Sequence, residues 1–203
     1  MPVSKASLVT LLSIDSTITI YTNLKATQST DYALSLATKG RYYQMLGNYN
    51  VAEPDFKRAL EIVSKNEGPK SPQYAQLLNN QALLLQTLGN YEGAEKLLIE
   101  CKEIVENRIG KNNVEYSTAL QNVAALLQMQ NQFARAEKML EEAQSIDKVI
   151  LGEMNPQYAV LIQNLATVYQ KTGRTKEAEV YLNSALRNYE FNFGRKHGSY
   201  ATT

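Results

Sequence analysis

The stretch that decides the fold is residues 114–155, VEYSTALQNVAALLQMQNQFARAEKMLEEAQSIDKVILGEMN, because its landmarks return every 42 residues along the chain. One tyrosine series and two glycine series keep this spacing, and Asn131 takes the place of a glycine in the second of them. Self-similarity at a period of 20–50 residues predicts an array of stacked structural repeats. The recurring residues are Tyr32, Tyr74, Tyr116, Tyr158 and Tyr200; Gly68, Gly110, Gly152 and Gly194; and Gly47, Gly89 and Gly173.

Two helices are predicted within each repeat. In residues 114–155 an apolar stripe with helical spacing ends at Asn131, where the other repeats have a glycine, and a second stripe ends at Gly152. Ser71-Pro72 and Asn155-Pro156 each place a capping residue before a proline that begins a helix. Helices of about 16–19 residues follow from these limits. The two stripes consist of Leu120, Val123, Ala124 and Leu127, and of Phe133, Ala136, Leu140, Ala143 and Ile146.

The predicted fold class is therefore all-α, a solenoid of helix-turn-helix units. Residues 1–29 are predicted to form a degenerate helix of a preceding repeat or an N-terminal cap. The helix, the second of that repeat, is expected over residues 6–26, where Ile20 occupies the position of Ile62. The array then fills residues 30–203, and we expect it to be part of a longer array whose exposed C-terminal repeat offers a surface for self-association. Its units are 30–71, 72–113, 114–155 and 156–197, followed by the start of a fifth at 198–203.

Composition excludes several classes of function. The 21 Lys and Arg residues balance 20 Asp and Glu, so no basic field attracts nucleic acid or an anionic membrane. The chain has one cysteine, Cys101, and one histidine, His197, which rules out a disulfide framework and a zinc site. With no apolar span or secretory signal, we expect a cytoplasmic protein without cofactor, metal or catalytic residues. We expect Cys101 to be a small buried packing residue and His197 to have a loop or capping role.

The fourth repeat resembles the tetratricopeptide signature of large, large-small, aromatic, glycine, alanine, large and alanine positions. These positions are Ile162, Leu165-Ala166, Tyr169, Gly173, Ala178, Leu182 and Ala185. The long period, with Tyr158-Ala159, Asn164 and Gly194, is similar to the variant found in kinesin light chains. The resemblance implies a right-handed superhelix whose first helices line a concave face. Lys39 and Gln81 depart from the apolar pattern, and Pro54 must either remove a hydrogen bond from the second helix of repeat one or delay its start.

Amide side chains recur on the predicted concave face, where Gln121 is expected to lie opposite the apolar stripe of its helix. An amide is both donor and acceptor, so it can hold a peptide unit without reading its side chain. Two other interpretations remain open: the asparagines bridge neighbouring repeats or the adjoining loop, or the glutamines only meet solvent. The candidate partner-binding residues are Asn80, Asn122 and Asn164; Gln44, Gln86, Gln128 and Gln170; and Gln121 and Gln163.

The neighbouring positions disfavour a carboxylate-clamping groove, because they hold Leu34, Gln76, Thr118 and Val160 and no Lys or Arg. A glutamate series is interpreted as a solvated face; it consists of Glu53, Glu95, Glu137 and Glu179. We therefore expect a protein or peptide interaction scaffold. The alternatives are the regulatory arm of a larger enzyme, such as a CHAT-type protease or an ATPase with its catalytic domain outside these residues, and an architectural spacer.

Overall fold

Helices account for all the regular secondary structure in the computed structural model, which describes the backbone of residues 5–194 and the side chains of residues 12–194. Within that range there are nine helices and no strand, so the predicted all-α class is confirmed. His197 and the start of the fifth repeat lie outside the described residues. The helices are α1 (Lys5–Asn23), α2 (Thr30–Met45), α3 (Tyr49–Asn66), α4 (Pro72–Thr87), α5 (Tyr91–Ile109), α6 (Val114–Met129), α7 (Phe133–Ile150), α8 (Pro156–Lys171) and α9 (Thr175–Phe193).

The chain divides into two compact bodies, and the division falls within the residue range of α5. The N-terminal body ends at Ile104, and the C-terminal body begins at Val105. In the N-terminal body α2 packs on α3, and α4 shares an apolar cluster with the part of α5 that precedes Val105. In the C-terminal body α6 packs on α7 and α8 packs on α9. Each full repeat thus contributes a first helix and a second helix.

The capping residues predicted before the two prolines act as caps in the structure. The Ser71 hydroxyl accepts a hydrogen bond from the Tyr74 backbone N–H at 3.2 Å. The Asn155 carboxamide oxygen accepts one from the Gln157 N–H at 2.8 Å. Each bond satisfies an N–H group that the first turn of a helix leaves without a partner.

Asn131 occupies a turn that glycine fills in the other repeats. Its φ is +58°, beside +75° at Gly47, +77° at Gly89 and +80° at Gly173. This left-handed region strains most L-residues but is tolerated by asparagine. The prediction that Asn131 ends its helix as a glycine would is confirmed.

Pro54 lies inside α3 without delaying the helix. Helix α3 begins at Tyr49, which is the same repeat position as Tyr91 at the start of α5. The proline therefore has the other predicted effect: it lacks the N–H that would close one helical hydrogen bond, at an exposed position near the helix start.

Lys39 is accommodated in repeat one by an ion pair. Its Nζ lies 3.3 Å from Asp55 Oδ2 on α3, and it also lies 5.9 Å from the centre of the Tyr43 ring. The contact with Asp55 lacks hydrogen-bond geometry, so the attraction is between charges rather than through a directed bond. The departure from the apolar pattern is thus compensated within the repeat.

Helix α1 supplies apolar cover to repeat one. Ile18 packs against the core of α2 and α3, and Tyr21 meets the edge of Tyr32 with ring centres 6.2 Å apart. Ile20 is 57% exposed, whereas Ile62 is buried. Ile18 lies at the repeat position of Leu60 and packs against the repeat that follows it, as Leu60 does. The equivalence of Ile20 with Ile62 stays a prediction.

Candidate partner-binding site

The asparagine series lies on the first helices of three repeats, with half-buried side chains. Asn80 is on α4, Asn122 on α6 and Asn164 on α8. Neither Asn80 nor Asn164 hydrogen-bonds to any residue whose side chain the structure describes, and their amides still reach solvent. For these two residues the interpretation as bridges between repeats has no hydrogen bond to support it.

The glutamine series is more varied in its surroundings. Gln44 Nε2 lies 3.4 Å from the Thr87 hydroxyl, which links α2 to α4 within the N-terminal body. Gln86 and Gln128 are half-buried, and Gln170 is exposed. The structure therefore gives these four residues no single common role.

Gln121 and Gln163 are tied to the second helix of their own repeat. The Gln121 amide donates to Asp147 Oδ2 on α7 at 3.3 Å, and Gln163 Oε1 accepts from the Tyr189 hydroxyl on α9 at 3.2 Å. The expectation that Gln121 faces away from the apolar stripe is wrong. A long helical side chain leans toward the N-terminus of its helix, and here it reaches the paired helix.

A cleft opens between the first helices α6 and α8 of the C-terminal body, with Asp147 from α7 in its lining. Its volume is about 180 Å³. Residues four apart on a helix share a face, so Asn122 follows Thr118 and Asn164 follows Val160 along the same surface. We call this surface the first-helix face. The cleft is lined by Val114, Thr118, Gln121, Asp147, Gln157 and Val160.

Asp147 is a buried carboxylate with an incomplete set of partners. It is 1% exposed, and its Oδ1 has no hydrogen-bond partner among the residues whose side chains the structure describes. Burial raises the pKa of the Asp147 carboxyl, and the neighbouring Ser117 hydroxyl acts in the opposite direction. The adjacent cation, Lys148, pairs with Glu153 at 2.6 Å instead.

Sequence reasoning missed Asp147, although the repeat contains the signal. At the 42-residue spacing its position is held by Val63, Val105 and Tyr189, all of which are buried. A charged residue in a position that is otherwise apolar stands out once the repeats are placed in register. The partner-binding candidates recur at the same position in several repeats, whereas Asp147 does not recur.

The other polar candidates have local partners. Glu137 accepts two hydrogen bonds from the Arg174 guanidinium, at 2.8 and 2.6 Å, and the guanidinium lies 4.3 Å from the centre of the Tyr169 ring. The interpretation of Glu137 as part of a solvated face is therefore wrong, because this bidentate pair joins repeat three to repeat four. Glu53 pairs with Lys57 on the exposed surface of α3.

The structure shows why Cys101 is a poor nucleophile. It is buried, and burial raises the pKa of its thiol to about 11, so almost none is thiolate at neutral pH. Among the described residues, no group of three or more His, Cys, Asp or Glu side chains is placed to hold a metal ion. Between residues 5 and 193, no helix is both long enough and apolar enough to cross a bilayer.

A family model described as Tetratricopeptide repeat matches residues 29–98, 73–149 and 116–190. These overlapping matches cover most of the chain, which therefore belongs to the tetratricopeptide repeat family. Folds of this family are typically non-catalytic scaffolds. No curated protein sequence matches the chain.

Solved structures show the same fold at low sequence identity. BtubC (BKLC) from P. vanneervenii is 24% identical with a TM-score of 0.73, over 80% of this chain and 65% of that one. A kinesin light chain with nearly identical TPR-like repeats from P. anserina is 18% identical with a TM-score of 0.76, over 92% and 89% of the two chains. A Rap protein complexed with Competence and Sporulation Factor is 17% identical with a TM-score of 0.72, over 91% and 50%. The predicted likeness to kinesin light chain repeats is confirmed.

Proposed function

We propose that the chain is an interaction scaffold that binds an extended segment of a protein partner along the first-helix face. The observation that carries this proposal is the open hydrogen-bonding capacity of Asn164 on this face, whose amide has no partner among the described side chains. In the N-terminal body, Asn80 on α4 has the same open capacity. Asparagine stabilises a helix interior less than the best helix formers do. Its recurrence at one helix position therefore indicates a role other than helix stability. A peptide backbone supplies both the donor and the acceptor that such an amide lacks.

The structural neighbours support the proposal at the level of the fold. The Rap protein was solved in complex with Competence and Sporulation Factor, so a fold of this kind can accommodate a partner. The free, buried Cys101 suits a reducing cytoplasm. Its inert thiol also fits a chain that binds without catalysis.

The test uses a displayed library of random 12-residue peptides selected on the wild-type chain. Affinities of the selected peptides are then measured for a variant with Asn80→Ala, Asn122→Ala and Asn164→Ala. A hydrogen bond contributes about 1 kcal/mol, so losing two or three should weaken binding at least about tenfold. Circular dichroism should show unchanged helicity.

A matched control carries the same three changes on the second helices, at Asn50, Asn107 and Asn183, all of which are exposed. This control should bind the selected peptides as the wild type does. If both triple variants bind equally well, the first-helix asparagines do not hold the partner. Loss of helicity in the first variant alone would make those residues structural and would also contradict the proposal.

A further inference from the structure

We propose that the cleft between α6 and α8 receives a lysine or arginine side chain of the bound partner, with Asp147 as its counter-ion. The inference rests on the proposed function, because it assigns one specificity site on the same first-helix face. The asparagines would hold any peptide backbone, whereas this cleft would select the charge of one residue.

The described residues leave the charge of Asp147 uncompensated. Asp147 is buried, and the structure places no Lys or Arg within ion-pair distance of it among the described residues. Its described polar neighbours are neutral: the Gln121 amide donates to it at 3.3 Å, and the Ser117 hydroxyl lies beside it. A charged N–H donor forms a shorter and stronger bond to a carboxylate, commonly 2.7–2.9 Å, and would therefore displace the amide.

The other repeats carry no carboxylate at the position of Asp147. Valine fills the same position in repeats one and two, so the fold itself has no need of a carboxylate there. In repeat four the neutral Tyr189 hydroxyl makes the equivalent bond to Gln163 at 3.2 Å. A hydrogen bond between the two helices of a repeat is thus available without burying a charge, and the charge at Asp147 is an addition specific to repeat three.

The electrostatic field at the end of α7 also favours a cation. Asp147 lies in the last turn of α7, where the helix dipole already places partial negative charge. A carboxylate at the C-terminal end of a helix is disfavoured. A cation that arrives there is attracted by both the carboxylate and the helix dipole. The ligand should therefore carry a full positive charge.

The shape of the cleft fits a long basic side chain. Val114 and Val160 contribute apolar surface, and Val160 is 49% exposed on the same helix face as Asn164. Lysine and arginine bury an aliphatic stem against such surface while the charged head finds a polar partner. Thr118 and Gln157 add polar atoms to the lining of the cleft.

The experiment begins with the 12-residue peptides selected on the wild-type chain. The selected peptides should be enriched in a lysine or arginine at one position. A synthetic copy of the tightest peptide, labelled for fluorescence anisotropy, is compared with a copy in which norleucine replaces that basic residue. The charged peptide should bind the wild type about 10- to 100-fold more tightly, which is the range expected for a bond to a charged group.

Two variants remove the carboxylate, and one controls for net charge. Asp147→Asn preserves the shape, and Asp147→Val installs the residue of repeats one and two, so at least one of them should fold. Both should bind the charged peptide as weakly as the wild type binds the norleucine peptide. Glu141→Gln removes an exposed charge from the same helix and should leave the affinity unchanged.

The outcomes separate the two proposals. If the selected peptides lack a recurring basic residue, or bind Asp147→Asn and the wild type equally, the inference is overturned while the proposed function stands. Loss of helicity in both Asp147 variants would assign the carboxylate to the fold and would overturn the inference as well. If the wild type selects no peptide, both proposals fail.

Discussion

Repeats one and three each bury a carboxylate on a second helix, and among the described residues only the carboxylate of repeat one lies beside a cation. In repeat one Asp55 lies 3.3 Å from Lys39, with side chains 13% and 23% exposed. In repeat three Asp147 has no such partner among the described residues. Burial raises the pKa of both carboxyls, and at Asp55 the charge of Lys39 opposes that rise. The same repeat architecture therefore holds two different carboxylates. Asp55 is paired within its own repeat, whereas Asp147 is left for a partner outside its repeat.

The same two repeats also differ in how their helices approach each other. Gly40 and Phe56 in repeat one correspond to Ala124 and Leu140 in repeat three, and all four residues are buried. A Cβ on Gly40 would lie 3.1 Å from the Phe56 ring and 3.2 Å from the Ala52 carbonyl oxygen. The large Phe56 of repeat one therefore faces a glycine, and the smaller Leu140 of repeat three is paired with an alanine.

The largest effect is expected from Lys39→Met, which would leave Asp55 buried and unpaired. Removing one partner of a fully buried pair is destabilising by roughly 3–5 kcal/mol, so we expect about 2 kcal/mol for this partly exposed pair. Urea denaturation at pH 7 measures it. Without Lys39 the pKa of Asp55 rises further in the folded state, so the loss should shrink as the pH falls toward 4.

The control for this prediction is the double variant with Lys39→Met and Asp55→Leu. It replaces the pair by apolar residues, and its stability should return most of the way to that of the wild type. A single variant as stable as the wild type would mean that Lys39 does not compensate Asp55, and the contrast with Asp147 would lose its basis.

Ala124→Leu tests the close helix approach in repeat three. Ala124 is fully buried, so the added methyl groups must displace neighbours, at a loss of about 1–3 kcal/mol. Ala125→Leu is the matched control, because residue 125 is exposed on the same helix and should change stability little. Equal losses in denaturant titrations of the two variants would show that the buried and exposed faces have been assigned the wrong way round.

A double-mutant cycle between Gly40→Ala and Phe56→Leu tests the size exchange between repeats one and three. Alanine gains about 1 kcal/mol over glycine in a helix, but beside Phe56 that gain is opposed by the close contact. In the Phe56→Leu background, which carries the leucine that repeat three has at the equivalent position, Gly40→Ala should be more favourable by about 1 kcal/mol than in the wild type. Additive effects of the two changes on the free energy of unfolding would argue against coupling.

The 42-residue period predicted most of the fold, because local sequence signals determine where the helices and turns lie. Helix caps, turn residues such as Asn131 and apolar stripes act over a few residues, and the repeat presents each of them several times. The site was harder to predict. Gln121 lies near the boundary between two helix faces, and its length lets it cross to the paired helix. Among the described residues no Lys or Arg pairs with Asp147. This depends on which residues surround it in three dimensions, and spacing alone does not reveal it.

The central claim is that the Asp147 carboxylate lowers the stability of the chain when no partner is bound. Thermal melting of the wild type and Asp147→Asn between pH 4 and pH 7.5 tests this claim most directly. Because the folded-state pKa of Asp147 is raised, the folded chain binds the proton more tightly than the unfolded chain, and stability is lost as the pH rises through that pKa. The Asn variant should therefore melt a few degrees higher at pH 7, where about 1 kcal/mol shifts the midpoint by roughly 2–4 °C. The difference should disappear toward pH 4. An Asn variant that melts lower at pH 7, by an amount that grows as the pH rises, would show that the carboxylate stabilises the fold and would contradict the account.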